Sequence, residues 1–228
     1  MTHPVPTQLQ QNQPVTQFEL GTQRNFVYAI LNWSTPRRAV LIDPQHDIQT
    51  PLDELARWNF ELTAVLLTHS HSDHTAGVPA LLERFPKLPI YVHTAETKRL
   101  KKLHTHALEL HPLSGGEKIP LGALELEAIH TPGHSAGECC YLLRGETNYL
   151  FTGDMLFIGD CGRTDLETGS TEEMFESLQK LRKLAGELGD AIILPGHHYA
   201  PACTSTLQHE IANSPVFQCR SPQDLARL

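Results

Sequence analysis

The stretch 65–77 constrains this chain more than any other part of its sequence. It begins with an apolar run that is typical of a buried strand, and it becomes polar at Thr68. The next six positions contain four side chains that can bind a metal ion: His69, His71, Asp73 and His74. Alternate side chains of an extended segment point the same way, so the first three can converge beyond the strand end while His74 turns to the other side. Because imidazole and carboxylate groups are ligands of zinc and iron, the stretch predicts a metal site at a strand end.

Three later strands are also predicted to end beside a residue of the same chemistry. The apolar or alternating runs at 123–130, 148–152 and 190–194 each stop at a segment that contains glycine or proline. The residues that follow these three runs are His134, Asp154 and His197. If the sheets bring the four strand ends together, seven side chains surround one or two metal ions.

The seven side chains divide into two sets of three and one residue that both sets can share. His69, His71 and His134 would form a site of three imidazoles. A second site would consist of Asp73, His74 and His197. Asp154 could bridge the two sites, because a carboxylate has two oxygens and the metals of a two-metal site lie only about 3.5–4 Å apart.

The order of elements predicts mixed sheets that are covered by helices in a single domain, residues 1–228, with a flexible lead-in at residues 1–16. Thr50, followed by proline, is expected to cap a helix that reaches about residue 58. Ser170 and Glu173 form a capping box for a helix that reaches about residue 184. A last helix is expected at 204–213, and a tail after it.

Two groups of charged or histidine side chains are interpreted as surface features. The basic residues of a predicted helix at 94–103 are expected to form a solvated face, with attraction of an anionic substrate as the alternative. Three histidines with loose spacing follow this helix and are expected at the surface: His104, His106 and His111. A strand is predicted at 107–110.

Composition limits the classes of function. The formal net charge of −8 argues against nucleic acid or an anionic membrane as the main partner, and the sequence lacks an 18-residue apolar run that could span a membrane. The five cysteines are odd in number and include no C-x-x-C pair, which favours a reducing, cytoplasmic location over a disulfide scaffold. The small-molecule substrate that the motifs described below imply is compatible with this composition, and a homodimer is an alternative to the monomer.

Four short motifs together resemble the metallo-β-lactamase superfamily. They are H-x-H-x-D-H at 69–74, T-P-G-H-S at 131–135, F-T-G-D at 151–154 and P-G-H at 195–197. The resemblance covers about residues 18–213. It implies an α/β fold, a four-layer αββα sandwich of two mixed sheets flanked by helices, with the metals at one edge. It also implies two divalent metal ions held by the seven residues, zinc in the first place, with iron or manganese as alternatives.

Within the superfamily, the segment 156–165 is similar to two branches. One comprises the glyoxalase II-like thioesterases, which are hydroxyacylglutathione hydrolases, and the other the persulfide dioxygenases. Glyoxalase II has three adjacent histidines where Ser70 interrupts this sequence, and aromatic residues where Thr164 and Asp165 stand. It also has a C-terminal glutathione-binding domain, whereas this chain ends soon after its last motif. No cysteine falls where many metallo-β-lactamases have a ligand, which disfavours antibiotic hydrolysis.

The resemblance predicts a hydrolase of a glutathione-type thioester. A bound metal would lower the pKa of water to about 7, and Asp73 and Asp154 would be the catalytic residues. A thiol has a pKa of about 8.5, so a thiolate leaves without strong acid help. Arg163 and Tyr199 are the expected substrate-binding residues, and pairing of Arg163 with a neighbouring aspartate is an equal alternative.

Two other activities remain open at this point. The dioxygenase branch binds a single Fe²⁺ through the equivalents of His69, His134 and Asp154 only, so the presence of the other ligands does not fix the metal count. A lactonase or another small-ester hydrolase is a further alternative. Cys161 lies in the same segment, but no base is near it in sequence, and we interpret it as a packing residue.

Overall fold

Two mixed sheets form the frame of the protein in the computed structural model, which describes residues 5–103 and 108–228. In spatial order, the strands of the first sheet are β1 (Val15–Leu20), β2 (Asn25–Asn32), β3 (Arg38–Ile42), β4 (Glu61–Leu66), β5 (Pro89–His93) and β6 (Glu109–Leu113). The first three strands pair antiparallel, and β3 to β6 pair parallel.

The second sheet starts at its edge with the short strand that comes last in the chain. In spatial order, its strands are β12 (Ser205–Thr206), β11 (Ile192–Pro195), β10 (Tyr149–Gly153), β9 (Cys139–Leu143), β8 (Leu124–His130) and β7 (Lys118–Leu121). Only β10 and β11 pair parallel in this described sheet. Their ends therefore lie side by side, which places the segments after β10 and β11 at the same edge.

Helices lie outside the two sheets and, with the exception of the second one, pack on their outer faces. They are α1 (Gln49–Arg57), α2 (Ser72–Thr75), α3 (Val78–Arg84), α4 (Thr97–Leu103), α5 (Thr171–Leu188), α6 (Leu207–Asn213), α7 (Pro215–Gln218) and α8 (Pro222–Leu225), with a short 3-10 helix at Thr94–Glu96. In the part of the chain that the structure describes, none of these helices has the length and apolar character needed to cross a membrane.

Strand β2 shows why the layers form, because it is buried on both faces. Phe26, Tyr28 and Ile30 pack between the two sheets. The alternate residues of β2, such as Val27 and Leu31, pack on the other face together with residues of α1 and α3. On the outside of the second sheet, α5 contributes a third cluster of buried side chains: Met174, Leu178 and Leu181. These layers confirm the predicted αββα sandwich.

The starts of two predicted helices differ in how well the sequence located them. Ser170 caps α5, since its Oγ accepts a hydrogen bond of 3.2 Å from the Glu173 backbone N–H, as predicted. The predicted cap at Thr50 is wrong, because α1 begins at Gln49 with Ile48 in the cap position. Ile48 is buried among the helices and the first sheet, so packing sets this start, and the proline of the first turn needs no N–H partner there.

Both ends of the described chain contain buried apolar residues that their sequences do not indicate. Val5 and Leu9 are buried, and the Leu9 N–H donates to Glu54 Oε2 at 3.2 Å, whereas the flexibility of residues 1–16 stays a prediction. The predicted tail after residue 213 is wrong, since α7 and α8 bury residues such as Phe217 and Leu225 in the α5 cluster. Local patterns did not show the burial at either end, because single apolar residues without helical or strand spacing give no periodic signal.

Smaller differences concern strand and helix limits. The helix predicted at 204–213 begins at Leu207, because Ser205 and Thr206 pair with β11 as β12. Helix α5 continues to Leu188, beyond its predicted end at 184. His104 and His106 lie outside the described residues, as does the start of the strand predicted at 107–110. His111 is partly exposed, as expected for a surface histidine.

Candidate metal centre

The four predicted strand ends meet at one edge of the two sheets. Strand β4 leads to His69 and His71, and α2 follows directly with Asp73 and His74. From the second sheet, β8, β10 and β11 end just before the segments that contain three further side chains: His134, Asp154 and His197. All seven predicted side chains lie at this edge, with separations that are given below.

Three of the histidines form one group of possible ligands. His69, His71 and His134 each offer a ring nitrogen, and these nitrogens all lie within 4.8 Å of one another. The His134 Nε2 atom is 2.9 Å from His71 Nδ1, while His134 Nδ1 is 2.8 Å from the backbone oxygen of Arg163. The opposite nitrogen of His134 is therefore held by the chain, which fixes the direction of the ring.

The second group also corresponds to the sequence prediction. Asp73, His74 and His197 each offer one ligand atom within 4.8 Å of the other two. The Nε2 atoms of His74 and His197 are 3.2 Å apart, and Asp73 Oδ2 lies 3.4 Å from the former and 3.3 Å from the latter. Asn25 donates from Nδ2 to the same Asp73 oxygen at 3.1 Å, and His197 Nδ1 is 3.0 Å from the Gln23 backbone oxygen.

Asp154 lies between the two groups. Its Oδ2 is 3.5 Å from His134 Nε2 in the first group and 3.4 Å from His197 Nε2 in the second. Its Oδ1 is 3.4 Å from His74 Nε2. One carboxylate thus faces both groups, which is the position that a bridging ligand requires.

Two buried carboxyl groups that the sequence analysis did not select support this arrangement. Asp43 accepts from the Thr68 N–H at 2.8 Å and from Thr68 Oγ1 at 2.6 Å, and its Oδ2 is 3.1 Å from His74 Nδ1. Glu138 Oε1 accepts from the Asp154 N–H at 3.1 Å, and Glu138 Oε2 lies 3.3 Å from His69 Nδ1. Asp43 also follows a strand end, the same signal that identified the other residues, whereas Glu138 is marked only as an acidic residue directly before an apolar strand.

Asp43, His69 and His74 form a third group with ligand atoms within 4.8 Å of one another. Both Asp43 oxygens already accept hydrogen bonds from Thr68, and Oδ2 also lies 3.1 Å from His74 Nδ1. We therefore assign Asp43 to holding the His74 ring, which leaves His74 Nε2 directed toward His197 and Asp154.

The two groups have opposite proton affinities. Burial and the neighbouring His74 hold the pKa of His69 well below its ordinary value, and burial with His134 lowers the pKa of His71 to about 4. Both rings are therefore neutral near pH 7 and have a free lone pair. Burial also opposes protonation of His197, but hydrogen bonds to Asp154 and Asp73 outweigh it and raise its pKa to about 9.

Burial and neighbouring charges also shift the pKa values of the carboxyl groups. Burial would raise the pKa of Asp154, but the His74 and His197 rings hold it well below its usual range. Burial, together with the Asp154 and Asp43 carboxylates, raises the pKa of Glu138 well above that of an ordinary glutamate. Asp154 therefore keeps its negative charge among five imidazole rings, and it attracts positive charge, as the raised pKa of His197 shows.

The donor set fits divalent metal ions. Among the described residues, the buried atoms His69 Nε2 and Asp154 Oδ1 have no hydrogen-bond partner. An unpaired buried polar atom costs about 1–3 kcal/mol, so two of them in one cluster indicate a missing partner. Imidazole nitrogens and carboxylate oxygens of this kind are ligands of zinc and iron. The other ring nitrogen of His134 and of His197 lies beside a backbone oxygen, which orients the ring.

Glycine allows the backbone to approach the cluster closely. Gly153 has φ of +52°, and a Cβ there would lie 2.6 Å from Thr68 Oγ1 and would also contact Glu138 Oε1. A Cβ at Gly196 would overlap Asp154 Oδ1 and lie 2.9 Å from His74 Cε1. Close packing against the cluster thus explains why the F-T-G-D and P-G-H motifs have glycine at these two positions.

A cavity of about 590 Å³ opens beside the first group and Asp154. Its walls include Phe157, Arg163 and Tyr199. The Tyr199 ring stacks on His197 with centroids 4.7 Å apart and an angle of 9°, and it meets Phe157 edge-on at 5.2 Å. A cavity of this size is typical of small-molecule sites.

Arg163 has the partner that the sequence analysis gave as an alternative to a substrate. Its Nε and Nη2 atoms donate to the two Asp165 oxygens at 2.6 and 2.7 Å. Both side chains are largely exposed, 64% and 68%, so solvent screens this pair and a ligand can compete for the guanidinium. Cys161 packs beside the α5 cluster, in agreement with its interpretation as a packing residue.

Residues 22–197 match the model of the metallo-beta-lactamase superfamily, a range that includes all seven predicted ligands. The chain therefore belongs to the metallo-β-lactamase superfamily, which confirms the resemblance seen in its motifs.

Individual proteins add detail to this assignment. The chain is 31% identical over 194 residues to the probable polyketide biosynthesis zinc-dependent hydrolase BaeB of Bacillus velezensis, covering 85% of this chain and 82% of that protein. It is 32% identical over 199 residues to the hydroxyacylglutathione hydrolase of Xanthomonas axonopodis pv. citri, covering 87% and 71%. The structure is similar to that of ETHE1 from Myxococcus xanthus, with a TM-score of 0.78, 26% identity and coverage of 93% and 88%.

Proposed function

We propose that the protein is a two-metal hydrolase that cleaves a small thioester of the glutathione type. The observation that carries the proposal is the position of Asp154, whose carboxylate faces both groups of three ligand residues. The similarity to a hydroxyacylglutathione hydrolase and to a zinc-dependent hydrolase supports the reaction class and makes zinc the first metal to test, ahead of iron and manganese.

His69, His71 and His134 would hold one metal ion, and Asp73, His74 and His197 the other, with Asp154 shared by both. Bound divalent ions supply the reaction with water whose pKa is lowered to about 7, and they neutralise negative charge that develops on the substrate.

The chain's own residues orient the reaction. Asp73, held by Asn25 at 3.1 Å, would orient the attacking water by accepting a hydrogen bond from it. The thiolate product needs little acid assistance, because the pKa of a thiol is about 8.5. The five histidines of the two ligand groups are therefore not needed as a general acid.

The cavity would bind the acyl and thiol parts of the substrate. Tyr199 offers an exposed aromatic face beside His197, and Arg163 would bind a substrate carboxylate in exchange for Asp165. This exchange costs little, because both partners of the ion pair are exposed and solvent screens their attraction.

A persulfide dioxygenase is the second candidate. Its expected single Fe²⁺ would use His69, His134 and Asp154, all of which lie at the centre, and the similarity to the ETHE1 structure supports keeping it. A lactonase or other small-ester hydrolase is the third. A cytoplasmic location and a homodimer stay predictions.

Metal analysis combined with two assays separates these candidates. Purified full-length protein is analysed for metal content and assayed with thioesters that include lactoylglutathione and vary in the acyl group and the thiol. Two metal ions per chain with thioester cleavage are expected. One iron per chain, with oxygen uptake on glutathione persulfide and no thioester cleavage, would replace the hydrolase with the dioxygenase.

A further inference from the structure

A buried carboxyl group that is not a metal ligand connects the two loops of the first histidine group. Glu96 ends the 3-10 helix before α4 and is only 4% exposed. Its Oε2 accepts a hydrogen bond from Ser70 Oγ. Its Oε1 accepts from Ser135 Oγ at 2.8 Å and from the Gly137 N–H at 2.9 Å.

The partners of Glu96 are next to the candidate ligand histidines in the chain. Ser70 lies between His69 and His71, and Ser135 directly follows His134. Both serines are buried, at 0% and 1% exposure. One carboxyl group therefore connects the loop after β4 with the loop after β8, and all three histidines of the first group belong to these two loops.

We propose that Glu96 is a positioning residue that sets the separation of the two loops and thereby the metal affinity of the His69–His71–His134 group. The inference rests on the proposed function only in taking this group as a metal site. It also gives Ser70 a role: the hydroxyl that interrupts the row of histidines donates to the carboxyl group that fixes the opposite loop.

The inference follows from the way the imidazole rings are held. His71 Nδ1 and His134 Nε2 are 2.9 Å apart, and this separation depends on two loops from different sheets. Without Glu96, two buried hydroxyls and the Gly137 N–H lose their acceptor, and the loops can move apart to find others. Partners that orient metal ligands in this way typically change metal affinity or activity about 10–100-fold when removed.

Gly137 shows that the carboxyl group needs space at this point. A Cβ at position 137 would lie 2.6 Å from Glu96 Cγ and 2.8 Å from Oε1. Gly137→Ala would thus displace the carboxyl group without removing its charge. This substitution provides a second test that is independent of any loss of charge at Glu96.

The test is a Co²⁺ titration of the metal-free full-length protein, followed by its visible absorption. His71→Ala and His197→Ala define the spectra and affinities that result from loss of the first and the second group. Glu96→Ala is expected to weaken Co²⁺ binding at the first group about 10–100-fold and to reproduce the His71→Ala signature, with the second group unchanged. Glu96→Gln, which keeps an oxygen acceptor, should lie between wild type and Glu96→Ala, and Gly137→Ala should also weaken the first group.

Glu54→Ala is the matched control. Glu54 is also a buried glutamate, 7% exposed, that connects two segments by accepting from the Leu9 N–H, but it lies in α1. The Glu54→Ala substitution should lower thermal stability without a change in Co²⁺ affinity. If Glu96→Gln and Glu96→Ala lower stability in the same way and leave both Co²⁺ affinities at the wild-type values, the inference is overturned. The proposed function is judged separately, on the metal content and thioester activity of the wild type.

Discussion

The Nε2 atom of His134 lies 2.9 Å from the Nδ1 atom of His71, although 63 positions separate the two residues in the chain. His71 follows the first sheet and His134 the second. Two imidazole nitrogens at this distance must share a proton or turn to a common cation, because two lone pairs repel each other. The Nδ1 atom of His134 faces the Arg163 backbone oxygen, so its Nε2 atom has the lone pair and can accept from His71 or bind a cation.

The first prediction concerns Asp154, which faces both ligand groups. Asp154→Asn keeps the size of the side chain but removes the charge that two metal ions would share. We expect the metal content to fall from two ions to one or none, and kcat/KM to fall at least about 100-fold, the upper end of what outer partners of a metal cost. Metal analysis and thioester assays on the same preparation measure both effects.

Asp165→Asn is the control for this experiment. It removes one negative charge from the same region, but Asp165 is exposed and contacts Arg163. Its metal content should equal that of the wild type. An Asp154→Asn protein that retains two metal ions and full turnover would refute the bridging role.

The second prediction uses the close approach of Gly196 to the cluster. A Cβ at this position would overlap Asp154 Oδ1 and lie 2.9 Å from His74 Cε1, so Gly196→Ala must displace one of these ligand residues. We expect lower metal occupancy, with a larger loss in the second group than in the first. The occupancy is measured by metal analysis after dialysis against a weak chelator.

Gly186→Ala is a suitable comparison, since a Cβ at Gly186 meets no atom within 4 Å. Gly186 lies within α5, where alanine should stabilise the protein by about 0.4–1 kcal/mol. Metal occupancy should stay at the wild-type level in this variant. Equal occupancy in both glycine variants would contradict the steric argument at Gly196.

The third prediction concerns the ion pair at the cavity. If Arg163 exchanges Asp165 for a substrate carboxylate, Arg163→Ala should raise KM several-fold and leave kcat nearly unchanged, because the interaction is remote from the reacting carbonyl. Asp165→Asn should lower KM, since the guanidinium then has no competing carboxylate. Steady-state kinetics with a carboxylate-bearing thioester and an uncharged one test this, and equal changes in KM for both substrates would argue against the role.

The sequence located the metal centre better than it located the support around it. His134, Asp154 and His197 could be found because each follows an apolar strand and stands beside glycine or proline. Their meeting at one edge depends on the parallel pairing of β10 with β11 and on the packing of two sheets, which local patterns do not encode. The motif resemblance supplied that information.

Long-range hydrogen bonds were the part that sequence patterns could not show. Glu96 accepts from Ser70, which lies 26 positions away, and Glu138 lies beside His69 of the other sheet, and no spacing rule connects these partners. Local patterns also did not predict the burial of Val5 and Phe217, because the burial of an isolated apolar residue depends on the distant surface that covers it. The sequence patterns thus indicated the candidate ligand residues, whereas tertiary packing determined which other residues orient them.

The last prediction concerns the cysteine that lines the cavity. Burial raises the pKa of the Cys161 thiol to about 12, with a further contribution from Asp160, so the thiol stays protonated at pH 8. Cys203 is exposed, and Cys139 and Cys140 are buried in β9. We expect iodoacetamide at pH 8 to label Cys203 well before Cys161, as measured by mass spectrometry of tryptic peptides over time. Cys161→Ala should keep thioester turnover within about twofold, because a protonated thiol is a poor nucleophile. Rapid labelling of Cys161 together with loss of turnover in Cys161→Ala would instead make this thiol a participant in the reaction.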